Sequence, residues 1–104
     1  MTRIDRLIVA ALAAACTSHA GAADGPAIAK SSQCGVCHAT ETRQVGPSFK
    51  EISAKYKGDD KAADRLAASI KGGSTGQWGA VPMPPNGTVS QADAHALAAW
   101  ILSL

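Results

Sequence analysis

Apolar residues recur at helical spacing in three stretches of the chain. Phe49, Ile52 and Tyr56 share one face of a segment from Ser48 to Lys57, and Gly58 closes it. Ala63, Leu66, Ala67 and Ile70 form a second stripe, with Asp59 and Asp60 as capping residues ahead of it and Gly72-Gly73 as its stop. Leu97, Trp100, Ile101 and Leu104 make a third, entered through the capping-box-like Ser90-Gln91-Ala92-Asp93. A shorter helix from about Pro26 to Gln33 is predicted by Asp24 as cap and the early proline, and Trp100 is expected to pack on it. His95 falls off the third stripe and reads as an exposed surface histidine, with metal ligation as the lesser alternative. Ala39 to Gly46 lacks helical periodicity and reads as a loop. From Gly72 to Thr88, glycine, proline and small polar residues exclude a regular element, and a loop of that length in a small domain is functional or disordered. The pattern predicts an all-α fold of short helices with one Pro/Gly-rich loop.

The first residues bear on where such a chain resides. Arg3 and Arg6 precede an apolar run from Leu7 to Cys16, and Ala20-Gly21-Ala22 matches a small-residue cleavage pattern. Residues 1–22 are therefore expected to be a signal peptide, cut after Ala22 or Ala23, that delivers residues 23–104 to the periplasm as one domain. An uncleaved anchor fits less well, because Ser18 and His19 interrupt the run short of the roughly twenty residues a span needs. Cys16 faintly resembles a lipoprotein processing site, but Leu12 sits one place too early. The exported domain is short and has only Phe49, Tyr56, Trp78 and Trp100 as aromatics, so its core needs a staple. Its charges nearly balance, which argues against a broad nucleic-acid-binding face.

The staple is read from Cys34-Gly35-Val36-Cys37-His38, a C-x-x-C-H pentapeptide that matches the attachment signature of a c-type haem. Two thiols within about one helical turn can each add across a haem vinyl group. The histidine that follows lies under the iron as its proximal ligand. C-x-x-C also occurs in thioredoxin-like proteins and zinc sites, but no strand-like alternation precedes Cys34 and a fourth zinc ligand is not at hand. A disulfide between Cys34 and Cys37 is the plainest alternative. Pro47 has no N–H to donate but keeps its carbonyl, which could accept the other ring N–H of His38; a simple turn proline reads equally well from these residues. Met83 is the one methionine besides Met1. If a thioether ligates the iron, it is Met83, presented by a loop that Pro82, Pro84 and Pro85 stiffen; ordinary packing is the competing reading.

With Val45-Gly46-Pro47, Lys71-Gly72-Gly73-Ser74, Gln77-Trp78-Gly79 and Val81-Pro82-Met83-Pro84-Pro85-Asn86 added to the pentapeptide, the chain closely resembles the small bacterial class I cytochromes c of the c-551/c-552 type. The resemblance implies a class I cytochrome c fold in which the first and last helices cross, around one haem c bound covalently through Cys34 and Cys37, with His38 and Met83 as axial iron ligands. It further implies that Trp78 hydrogen-bonds a haem propionate and that Asn86 orients the methionine sulfur. Two departures stand out. Ile28 or Ala29 occupies the first helix where an aromatic is usual, so a looser crossing is expected, and Ser69 stands where some relatives have an arginine toward a propionate.

The function implied is that of a periplasmic one-electron carrier, not an enzyme, monomeric and without stable membrane insertion. Its partners would be redox proteins such as a nitrite reductase, a cytochrome c peroxidase, a terminal oxidase or a quinol-oxidising complex. They would dock on Val45, Pro47, Val81 and Pro82, with Lys30 and Lys71 at the rim. Two other classes compete: a gas- or peroxide-binding haem protein with a labile sixth ligand, and a thiol–disulfide redox protein. A visible spectrum of the reduced protein separates all three.

Overall fold

Each predicted helix forms, and local chemistry decides where each ends. The computed structural model describes residues 24–104, so the expected signal segment, its cleavage position and Cys16 lie outside the described residues. Helix α1 spans Gly25–Ser31, with Pro26 in its first turn, where a missing N–H costs nothing. It stops short of the expected Gln33 because Gln33 takes a left-handed conformation, φ 58°, which turns the chain into a 3-10 turn at Cys34–Val36. Asp24 holds the N-cap position without a side-chain bond to the helix.

Helix α2 spans Phe49–Lys55 and carries the reciprocal capping box. Ser48 Oγ accepts from Glu51 N at 3.1 Å, and Glu51 Oε2 accepts from Ser48 N at 2.7 Å. The expected box at Ser90 forms in half, Ser90 Oγ accepting from Asp93 N, while Ser48-Phe49-Lys50-Glu51 carries the full S-x-x-E signature. Helix α3 spans Ala62–Gly72, capped in position by Lys61. Asp59 is not its cap as expected: its carboxylate accepts from Lys61 N one residue earlier and pairs with Arg65.

Helix α4, Gln91–Leu102, is the hub and packs against α1, α2 and α3. Ala94 and Ala98 are fully buried, and small residues at that spacing let two neighbours approach the same helix. One cluster joins Ile28, Ala29, Ala67, Ile70, Val89 and Leu97; the other joins Phe49, Ile52, Leu66, Ala98 and Ile101, and Trp100 packs against both. The α1–α4 crossing is close despite the missing aromatic. Gly25 abuts Trp100, and a Cβ there would meet Trp100 Cβ at 2.3 Å. Leu104 leaves the predicted stripe: α4 ends at Leu102 and Leu104 is exposed. Ser53 ties α2 to this end, donating to the carbonyls of Leu102 and Leu104. Among the described residues there is no β-strand, only a lone antiparallel bridge between Ser74 and Met83 inside the Pro/Gly-rich loop.

Candidate functional site

The 3-10 turn holds the pentapeptide in shape, with the His38 and Cys37 N–H groups donating to the Cys34 carbonyl at 3.0 and 3.2 Å. The loop after it folds back on itself, Gly46 N donating to the Cys37 carbonyl at 2.8 Å and Phe49 N to the Ala39 carbonyl at 2.9 Å. That return brings three things to the His38 ring. Its Nδ1 lies 2.7 Å from the Pro47 carbonyl oxygen. A carbonyl can only accept, so Nδ1 is the donor, and in a neutral ring that tautomer leaves the lone pair on Nε2. Phe49 stacks on the ring at 5.4 Å between centroids and 21° between planes. Gly46 forms a third support, where a Cβ would come 2.6 Å from His38 Cε1.

Met83 is held by its backbone. Its N–H donates to Ser74 O at 2.8 Å, and its carbonyl accepts from Ser74 N at 3.0 Å. Gly73 makes this pairing possible: its φ is +83°, and a Cβ would meet the Met83 carbonyl at 2.8 Å. Beyond the prolines, Asn86 N donates to the Ile70 carbonyl at 2.9 Å, fastening the far end of the loop to α3. The Asn86 side chain donates to Ser32 O at 3.4 Å and accepts from Thr88 Oγ1 at 3.2 Å. Trp78 is half-buried, with Lys55 Nζ 4.3 Å and Arg43 Cζ 5.9 Å from its ring centroid.

Cys34, Cys37, His38, Pro47, Trp78, Met83 and Asn86 all line one cavity of about 310 Å³. Its deeper wall is apolar, built by Phe49, Ile52, Leu66, Ile70, Leu97 and Ile101. A larger hollow of about 430 Å³ lies between Lys50, Lys57, Asp59 and Leu104, but its lining has no Cys, His or Met. The donor set of the first cavity suits a haem: two free thiols, an imidazole whose outer nitrogen is already committed, a thioether, and aliphatic walls for a flat apolar ring. It suits thiol redox chemistry poorly. Burial pushes the Cys34 thiol above its ordinary value, whereas a reactive cysteine is held below it. Zinc fares no better, since no three His, Cys, Asp or Glu side chains gather to hold a metal among the described residues.

Several positions differ from expectation. Pro47 is buried and so is not part of an exposed docking face, whereas Val45 and Val81 are exposed. The Lys71 ammonium donates to the Val89 carbonyl. His95 is apart from the cavity, its Nδ1 on the Gln91 carbonyl and its Nε2 3.2 Å from Asp64 Oδ1. Ser69 does line the cavity. The supports supplied by Gly46, Phe49 and Ser74 went unread because each depends on contacts across the loop; the glycines at 46 and 73 were the available signals.

A fold of four short helices, with α2, α3, α4 and the loops lining this cavity, defines a small class I c-type cytochrome. The family model for cytochrome c matches residues 22–104, and the chain belongs to that family. It is 58% identical over 77 residues to cytochrome c-552 of Nitrosomonas europaea, covering 74% of this chain and 75% of the relative. It is 53% identical over 79 residues to cytochrome c-551 of Azotobacter vinelandii, covering 76% and 95%. The crystal structure of wild-type N. europaea cytochrome c552 superposes with a TM-score of 0.75 at 57% identity, covering 76% of this chain and 98% of that one. The chain is thus a haem c electron carrier with one covalently attached haem and its iron. Among the described residues no helix is long and apolar enough to cross a membrane.

Proposed function

We propose that this chain is a periplasmic one-electron shuttle between respiratory redox proteins, its iron held by His38 Nε2 and Met83 Sδ and its haem tethered through Cys34 and Cys37. The supporting observation is the bond between His38 Nδ1 and the Pro47 carbonyl, 2.7 Å, in a cavity that Met83 and both thiols also line. That bond leaves Nε2 as a strong, oriented donor. When bound, the haem supplies one-electron exchange between ferric and ferrous iron at a centre with no open coordination position, at a potential that a methionine ligand raises. The polypeptide excludes water with its aliphatic wall, fixes the imidazole plane, and presents the thioether from a backbone clamped at Ser74. No residue is assigned a catalytic role.

Trp78, at the half-buried edge, is the donor we assign to a propionate, and Asn86 the residue that steadies the Met83 segment and tunes its sulfur. Exposed Val45, Val81 and Pro82 line the same cavity and form the apolar centre of a small, transient docking face, with Lys30 toward its rim. Partners of the nitrite reductase, peroxidase, terminal oxidase or quinol-oxidising kind fit such a face. The Arg3/Arg6 leader and small-residue site assign residues 1–22 as the export signal and residues 23–104 as the working domain. The test is Met83→Ala in haem-loaded protein. Loss of the red-end iron–sulfur charge-transfer band and a lowered midpoint potential are expected; an unchanged spectrum and potential would refute the ligand set.

A further inference from the structure

The cavity is nearly devoid of charge. Among the described residues its lining contains no Asp, Glu or Lys, and the only permanently charged side chain on it is Arg43. A haem brings two carboxylates into this space, and burying a carboxylate without a cation or donors is costly. We propose that Arg43 is the cation that binds a haem propionate, beside Trp78 at the open edge; this rests on a haem filling the cavity as described above.

Arg43 is poised for this by an arrangement that leaves its working end free. Its Nε donates to Glu51 Oε1 at 3.4 Å, while the other oxygen of Glu51 is committed to the Ser48 N–H in the α2 capping box. The carboxylate is thus tied to the helix and held below its ordinary pKa, first by that backbone bond and then by Arg43. Only Nε is engaged among the described residues, so the two terminal amines remain as a fork suited to a second carboxylate. The guanidinium lies 5.9 Å from the Trp78 centroid, and both side chains line the cavity. The other charged or titratable groups facing this edge come from α2 and its C-cap. Lys55 Nζ sits 4.3 Å from the same ring and donates to Gln77 O, and the Tyr56 hydroxyl donates to Gln77 Oε1. Trp78 and Gln77 are neutral. Ser69, also on the cavity, offers a hydroxyl and no charge. Positive charge therefore dominates where a propionate would emerge, with Glu51 as its one local counterweight.

The experiment is a redox titration of haem-loaded Arg43→Gln and Arg43→Lys proteins across about pH 4 to 9, bracketing ordinary carboxyl and imidazole ionisation. With Arg43 present the propionate stays ionised, so the midpoint potential is flat around neutrality. In Arg43→Gln the potential falls, because a cation no longer opposes ferric charge. A pH-dependent step also moves upward by about one unit, a tenfold change in the propionate ionisation constant. Arg43→Lys keeps the charge without the fork and gives an intermediate step. The double variant Arg43→Gln/Glu51→Gln keeps the shifted step if Arg43 acts on the propionate. If the shift vanishes there, the effect came from an unpaired Glu51 and the proposal fails. A superimposable pH profile for Arg43→Gln, in protein whose iron–sulfur band is intact, overturns the Arg43 assignment alone. A wild-type protein lacking that band overturns the ligand reading instead.

Discussion

Gly46→Ala should damage this protein far more than a single methyl on a loop ordinarily would. An added Cβ meets His38 Cε1 at 2.6 Å, Nδ1 at 2.9 Å and Nε2 at 3.2 Å, whereas unstrained heavy-atom contacts lie near 3.5–4.0 Å. The ring must therefore retreat by about 1 Å or the Gly46 backbone must give by as much. Neither route is free. Phe49 stacks on the ring, and a retreat of that size would stretch the 2.7 Å bond to Pro47 O beyond hydrogen-bonding range. Backbone movement would instead strain the Gly46–Cys37 bond that closes the loop. Overpacking costs about 1–3 kcal/mol and a lost hydrogen bond about 0.5–1.5 kcal/mol. The expected loss is about 2–4 kcal/mol, each kcal/mol lowering the melting temperature of a domain this size by about 4–8 °C. Denaturant unfolding of haem-loaded protein, followed by circular dichroism and visible absorbance, measures it. Gly72→Ala is the control, since nothing lies within 4 Å of its Cβ position and alanine is favoured over glycine in a helix. A Gly46→Ala loss below about 0.5 kcal/mol, within the range of an ordinary surface change, would show that the glycine does not hold the imidazole.

Three further outcomes follow from other contacts. Gly25→Ala, whose Cβ would sit 2.3 Å from Trp100 Cβ, forces α1 off α4 and should cost about 1–3 kcal/mol or more; an unchanged unfolding midpoint would mean that the crossing is looser than it looks. Gln33→Gly should stabilise by about 0.5–1 kcal/mol, because a left-handed L-residue is strained by about 1–2 kcal/mol and glycine returns only part of that as chain entropy; its φ is 58°, and a rise in midpoint is the readout. His95 has a raised pKa, first from its bond to the Gln91 carbonyl and then from Asp64. Its stabilising effect is thus fully present below about pH 6.5 and fades as pH rises through the folded value. The stability gap between wild type and His95→Gln should accordingly be larger at about pH 5 than at about pH 8, and an equal gap at both would deny the coupling.

Much of the site was legible because its chemistry is local. Cys34, Cys37 and His38 lie within one turn, so covalent spacing alone brings them together. Met83 stood out because the chain offers no other methionine after the first residue. Helix positions followed from stripes such as Leu66, Ala67 and Ile70, all of which are buried. The errors cluster at helix ends. Asp59 and Gln33 show why: capping depends on backbone angles that composition does not specify.

What residue order determined by itself is the haem-binding pentapeptide, the three apolar stripes and the one methionine besides Met1, since each needs only neighbours in the chain or a count. The folded chain alone decided which groups serve them. Pro47 became a buried acceptor for His38, Gly46 and Phe49 became supports for its ring, Ser74 became the clamp on Met83, and Arg43 became the one fixed charge on the cavity among the described residues. Those roles arise from loops closing over one another, and closure is set by the packing of every helix at once.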